Sequence, residues 1–140
     1  MEEKSLDIET LKNAVKSLEK NIAVYDANIS SGDTDLKDAL RSSVIHTFEV
    51  AYELCWKYMK KWLEMNVEPN IIIGSTRREF YRIARENGLI SDVKKWWEFH
   101  DARNRTSHTY NEMTAVSVFN AAVNFIQIAK QYVVDLEAKL

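Results

Sequence analysis

The sequence predicts an all-α protein, an antiparallel up-and-down bundle of four to five helices in one domain over residues 1–140. Three observations carry this. Only 3 Gly and 1 Pro occur, and a sandwich or barrel of many short strands needs more turn residues than that. Long apolar seams recur at three- and four-residue steps near both ends of the chain, the signature of helices packed on other helices. Hydrophobic residues make up 46% and charged residues 29%, a globular composition with enough apolar material for a core.

Each element has its own signals. The first helix is predicted from about Asp7 to Ile29, with Ile8, Leu11, Val15, Leu18, Ile22, Tyr25 and Ile29 on one seam. Ser30-Ser31-Gly32-Asp33 breaks the pattern, and Asp33 or Thr34 caps the next helix. That second helix is predicted from about Asp35 to Met65. Its apolar residues form two adjoining faces, Leu40, Val44, Ala51, Cys55 and Trp62 on one and Ile45, Phe48, Tyr52, Trp56, Met59 and Leu63 on the other. A stripe that wide expects several neighbours. Pro69 follows its end. Ile71-Ile72-Ile73 has no partner run and reads as a buried connector. Thr76-x-x-Glu79 has the form of a capping box and opens a short third helix, closed at Asn87-Gly88-Leu89 by a left-handed Gly88 and an apolar contact from Leu89. Ser91 is expected to cap a fourth helix that runs to about Arg105. Asn111 caps the last, whose seam is read as Val116, Phe119, Val123, Ile126, Ala129, Val133, Leu136 and Leu140.

Charge and cysteine usage exclude several classes. The formal net charge is −2, so the chain as a whole is no electrostatic nucleic-acid binder and no DNA partner is expected. The charge is uneven. Between Arg77 and Tyr110 there are eight Lys or Arg against five Asp or Glu. A basic stretch of this kind can face phosphate, although a solvated face of mixed charge is its commoner use. One cysteine excludes an intramolecular disulfide, and Cys55 among Leu54, Trp56 and Tyr58 reads as a buried small hydrophobe. The start, Met1-Glu2-Glu3-Lys4, lacks the form of a signal peptide, and no apolar run approaches the ~20 residues of a membrane span. A cytoplasmic protein without membrane contact is the expectation.

Chemistry concentrates in Asp101-x-Arg103-Asn104-Arg105-Thr106-Ser107-His108-Thr109-Tyr110. Arg103 offers planar donors that match phosphate oxygens, and an imidazole such as that of His108 is a side chain able to move a proton. If the helix ends near Ser107, the next turn can return His108 toward Arg103, with Trp96, Trp97 and Phe99 as walls. Such a pair suffices for RNA cleavage without metal. The imidazole deprotonates the 2′-hydroxyl or protonates the leaving 5′ oxygen, and the guanidinium stabilises charge on the phosphorus oxygens. A two-fold dimer would supply a second histidine. The plainer alternative is that Arg103 and His108 merely cap a helix end, and that Tyr110 is a half-buried core ring. Asp101 is best read as an i,i+4 partner of Arg105. Glu49 and Glu53 matter only if their helix faces the motif. His46-x-x-Glu49 stands alone, His100 and His108 lack zinc spacing, and there is no P-loop, dinucleotide glycine fingerprint or Gly-x-Ser-x-Gly. No metal and no cofactor are expected.

Two stretches resemble a known family. Phe48-Glu49-x-Ala51-x-Glu53-x-x-Trp56-Lys57 and Arg103-Asn104-x-Thr106-Ser107-His108-Thr109-Tyr110 are similar to the signatures of the HEPN superfamily, in its nucleotidyltransferase substrate-binding group. The resemblance spans nearly the whole chain. It implies a helical homodimer whose two Arg-x4-His segments face one cleft. It further implies a toxin–antitoxin pairing with a separate minimal nucleotidyltransferase chain, and metal-independent endoribonuclease activity on RNA. Arg103 and His108 would then be catalytic, Asn104 supporting, and Tyr110 the residue that the transferase modifies with AMP. The alternative within the same resemblance is a non-catalytic subunit that binds a nucleotide or substrate for the transferase. Any transferase chemistry must come from another chain.

Overall fold

A computed structural model describes residues 6–140; the reading of Met1-Glu2-Glu3-Lys4 lies outside the described residues. Six α-helices follow in order: α1 (Glu9–Ala27), α2 (Thr34–Asn66), α3 (Pro69–Ile73), α4 (Arg77–Glu86), α5 (Val93–Asn104) and α6 (Glu112–Glu137), with a 3₁₀ turn at Thr106–His108 before α6. No helix among the described residues is long and apolar enough to cross a membrane.

The long helices alternate in direction, as the side chains that meet between them show. Glu19 meets Lys130 and Tyr25 meets Phe119, so α1 and α6 are antiparallel. Trp96 packs on Tyr132, Phe99 on Phe125, and Arg105 reaches Ser117, so α5 and α6 are antiparallel as well. Phe48 against Phe125 and Cys55 against Tyr132 place α2 parallel to α6, across the bundle. The result is an up-and-down bundle of α1, α2, α5 and α6, with α3 and α4 in the α2–α5 connection. A core of Leu11, Leu18, Phe48, Tyr52, Leu63, Trp96, Phe125 and Tyr132 runs through it.

Local chemistry places most helix ends where the sequence predicts them. The Asp33 carboxylate accepts from the Leu36 N–H at 3.0 Å and starts α2. The Thr76 hydroxyl accepts from the Glu79 N–H at 3.2 Å and starts α4. Asn111 accepts from the Thr114 N–H at 3.2 Å and starts α6. The end of α4 is a Schellman turn: Gly88 N–H donates to the Arg85 carbonyl and Leu89 N–H to the Ala84 carbonyl, each at 3.0 Å. Gly88 has φ of 75°, and Leu89 is fully buried. Gly88→Ala is therefore expected to destabilise the protein by about 1–2 kcal/mol, the cost of a left-handed residue with a Cβ. Urea unfolding checks this.

Four expectations are corrected. Asp92, not Ser91, caps α5, because its carboxylate stands three residues before the Lys95 N–H that it accepts from at 3.0 Å. Ile71–Ile73 is not a buried connector but the end of α3, a single helical turn opened by Pro69. At about 100° per residue its three side chains point apart, so Ile72 is buried while Ile71 and Ile73 are exposed. On the first helix, Ile29 leaves the seam because α1 ends at Ala27, and it lies exposed. On α6, Val116, Val123 and Leu140 are exposed. Ile126, Ala129 and Leu136 are buried as read; the buried face otherwise runs as Ala115 and Ala122, in series with Ala129 and Leu136, interleaved with Val118, Phe125 and Tyr132. Both series step by seven, the spacing of a close-packed helix pair. The alanines let the backbones approach, so Ala115 and Ala122 rather than Val116 and Val123 face inward.

Candidate functional site

The motif lies where α5 ends against α2. The α5 backbone leaves the helix at Asn104, and the Thr106 hydroxyl donates to the Arg103 carbonyl at 2.8 Å, which satisfies one of the last orphan acceptors. The 3₁₀ turn then carries His108, whose N–H donates to the Arg105 carbonyl at 3.0 Å. A second tie holds the far side of this segment: Arg41 on α2 donates through both terminal nitrogens to Glu112, at 2.7 and 2.8 Å. This hydrogen bonding keeps the Glu112 carboxyl below the usual carboxylate range.

Arg103 is half-buried. Its Nε donates to Glu53 Oε1 at 2.8 Å, and Nη2 stands 3.6 Å from Glu49 Oε1. The condition set on Glu49 and Glu53 is thus met: their helix does face the motif. Their spacing of four residues puts both carboxylates on one side of α2, one helical turn apart. Asn104 stands at the exposed end of α5, and its amide nitrogen lies 3.3 Å from His100 Nε2. His108 is exposed and meets the edge of the Tyr110 ring, centroids 6.2 Å apart. Tyr110 is 87% exposed, which corrects its reading as a half-buried core ring. Within one protomer the structure groups Arg103 with Glu49 and Glu53, and His108 with Tyr110. No hydrogen bond joins Arg103 to His108 among the described residues.

The expected aromatic walls are also corrected. Trp96 and Phe99 point into the core and are almost wholly buried. Arg103 follows Trp96 by seven residues and Phe99 by four, on the same side of α5, but the two rings are enclosed by Tyr52, Phe125 and Tyr132 within the core and wall no open site. Only Trp97 is partly exposed. Asp101 accepts from Arg105 Nε at 3.1 Å, and Arg105 also donates to the Ser117 hydroxyl at 2.9 Å, as the i,i+4 reading expects.

Behind the motif runs a polar network with no sequence signal, because Tyr52 sits on an apolar seam and only the fold brings its hydroxyl partners together. The Tyr52 hydroxyl bonds that of Tyr81, stands 3.2 Å from His100 Nδ1, and accepts from Arg77 Nη1 at 3.4 Å. Burial pushes the Tyr81 phenol up to about 12 and Tyr52 higher still, so both stay protonated donors. Burial first, and the nearby Arg77 charge second, push the His100 imidazole below its ordinary 6.5. The folded protein therefore holds His100 neutral where the unfolded chain would bind a proton. The stability this gives is present above about pH 6.5 and is lost as pH falls through the depressed value. Thermal melts from pH 7.5 to 5.5 are expected to show Tm falling with pH, with a shallower fall in His100→Gln.

Comparison with known proteins agrees with this architecture. Residues 6–138 match the family described as nucleotidyltransferase substrate binding protein like. A protein of Haemophilus influenzae named probable ribonuclease HepT is 33% identical over 124 residues, covering 86% of this chain and 85% of that protein. A solved structure, also from Haemophilus influenzae and described as the fold of a substrate binding domain of a nucleotidyltransferase, superposes with a TM-score of 0.85. It is 30% identical and covers 94% of this chain and 99% of its own. The chain therefore belongs to the nucleotidyltransferase substrate-binding protein family of the HEPN superfamily.

Proposed function

We propose that the protein is a metal-independent endoribonuclease of the HEPN type, the toxin of a pair whose second member is a separate minimal nucleotidyltransferase. The observation that carries this is the division of labour at the end of α5. Glu53 grips the inner Nε edge of Arg103 and sets the guanidinium plane, which leaves Nη1 for a phosphate oxygen. His108 stands free at the surface with no hydrogen bond on its ring among the described residues. The likeness to a probable ribonuclease supports the same reading.

In the reaction, one His108 takes the proton of the ribose 2′-hydroxyl. The 2′ oxygen attacks phosphorus and forms a cyclic phosphate, and the 5′ oxygen leaves with a proton from the His108 of a second copy. Arg103 stabilises charge on the non-bridging oxygens. Two-fold pairing of the chain supplies the second histidine. Asn104, through its contact with His100, steadies the end of α5. The exposed Tyr110 phenol, losing its proton, attacks the α-phosphorus of an ATP held by the partner and releases pyrophosphate; the anionic AMP adduct two residues from His108 blocks RNA by bulk and charge.

The test is RNA cleavage in EDTA by the purified, folded protein beside His108→Ala, with intact mass confirming that Tyr110 carries no AMP. Cleavage by the wild type alone supports the nuclease. Cleavage by neither supports the second reading, a non-catalytic subunit that presents a nucleotide or substrate to the transferase. That reading has its own support: two carboxylates offset the Arg103 charge, and the structural relative is described as a substrate binding domain.

A further inference from the structure

We propose that the cleft between α4 and the start of α5 binds the phosphodiester backbone of single-stranded RNA, one segment removed from Arg103 and His108; this rests on the ribonuclease reading above. The cleft has a volume of about 510 Å³ and is lined by Arg78, Arg82, Arg85, Lys94, Trp97 and Asp92, with Ser91 and Val93.

Its charge is the first argument. Arg78, Arg82 and Arg85 follow at i, i+4 and i+7, one face of α4, and rise along it by roughly 10 Å. All three and Lys94 are exposed, and none forms an ion pair among the described residues, whereas Arg41, Arg103 and Arg105 each hold a carboxylate. The one acidic lining residue, Asp92, has its carboxylate turned to the Lys95 N–H as the cap of α5. Four cations with no carboxylate to hold are positioned for a ligand that carries several phosphates. The N-terminus of α5 adds its dipole to the same rim.

Preorganisation is the second argument. The Arg78 guanidinium lies 4.7 Å from the centroid of the Trp97 ring. Stacking fixes its plane and leaves its edge donors for phosphate. Unstacked arginine on a merely solvated face has no such support.

Continuity with the motif is the third. Trp97, His100 and Asn104 lie at i, i+3 and i+7 on α5. The Trp97 and His100 rings have centroids 5.4 Å apart, and His100 meets Asn104. One edge of α5 thus connects the cleft to the turn that carries His108, over a rise of about 10 Å, the reach of a few nucleotides. A charged groove with an aromatic platform is the recurring device for single strands.

The test is fluorescence anisotropy of a labelled 12-nucleotide single-stranded RNA with the full chain carrying His108→Ala, which separates binding from cleavage. Arg78→Gln/Arg82→Gln/Arg85→Gln is compared with Lys16→Gln/Lys20→Gln/Lys61→Gln, an equal charge loss at exposed positions outside the cleft. All are checked for unchanged Tm. The arginine triple is expected to raise Kd by about tenfold or more. It is also expected to reduce the slope of log K against log salt by about 2, at about 0.7 for each phosphate no longer neutralised, while the lysine triple changes both far less. Equal effects of the two triples, or RNA affinity unchanged by the arginine triple, overturn the proposal. Displacement of the RNA by AMP as effectively as by unlabelled RNA overturns the strand in favour of a free nucleotide. Loss of a co-expressed nucleotidyltransferase with RNA affinity intact overturns it in favour of an acidic protein surface. Binding through the cleft without wild-type cleavage sinks the nuclease alone and leaves the cleft standing.

Discussion

His108→Ala is expected to lower RNA cleavage by about 10²–10⁴-fold, the typical contribution of a positioned acid–base group, with no measurable change in Tm. The separation follows from where the side chain stands. The imidazole is exposed, and its neighbour is the edge of an equally exposed Tyr110. The backbone bond to Arg105 that shapes the turn uses the His108 N–H, which alanine retains. Removing the ring therefore costs within about 0.5 kcal/mol. Arg103→Ala is a different kind of change. It abolishes the proposed charge stabilisation, and it also leaves Glu53 and Glu49 side by side without their cation. At this half-exposed site the stability loss is about 1 kcal/mol or less. Arg103→Lys does not restore cleavage, because lysine has no Nε to hold Glu53 while offering donors to phosphate. Wild-type cleavage in His108→Ala, measured in EDTA on protein checked by mass, would mean that the activity resides elsewhere.

Trp96→Ala is expected to destabilise the fold by about 3–5 kcal/mol, the range for truncating a buried large aromatic. Trp96 is 1% exposed. Its ring lies 5.6–6.5 Å, centroid to centroid, from Tyr52 on α2, Tyr81 on α4, Phe125 and Tyr132 on α6, and Phe99 on its own helix. No relaxation of one neighbour fills a hole shared by four helices. Against a total stability of about 5–15 kcal/mol, this loss leaves a protein near its threshold. The adjacent Trp97→Ala, on the half-exposed edge beside Arg78, is expected to cost far less. Urea midpoints of the two variants distinguish them, and equal losses would mean that Trp96 is not the keystone of the α2–α4–α5–α6 junction.

These two neighbours mark how far residue patterns reach. The fold class, the caps at Asp33, Thr76 and Asn111, the turn at Gly88 and the buried thiol of Cys55 are all matters of local chemistry. A cap needs an acceptor three residues before a free N–H, and a left-handed turn needs a residue without a Cβ. Such rules act within one turn of chain and are legible without tertiary information. The Arg-x4-His-x-Tyr spacing is equally legible, as is the resemblance it carries.

Facing is local only in part: periodicity gives the buried sides of α1 and α2, while the exact inward positions on α6 and the cross-helix partners are not in the pattern. Whether Ala115 or Val116 looks inward depends on which backbone can approach closest. Whether Glu53 is solvated or grips Arg103 depends on α2 and α5 meeting fifty residues apart in sequence. Tyr52, His100, Tyr81 and Arg77 form one network for the same reason, and the arginines of α4 share a cleft with Trp97 only because α5 turns back along them. A helix seam records that a side chain is apolar, and a motif records that it is reactive. The partner each one finds is a property of packing, since the free energy of burial depends on the apolar area enclosed by elements remote in sequence.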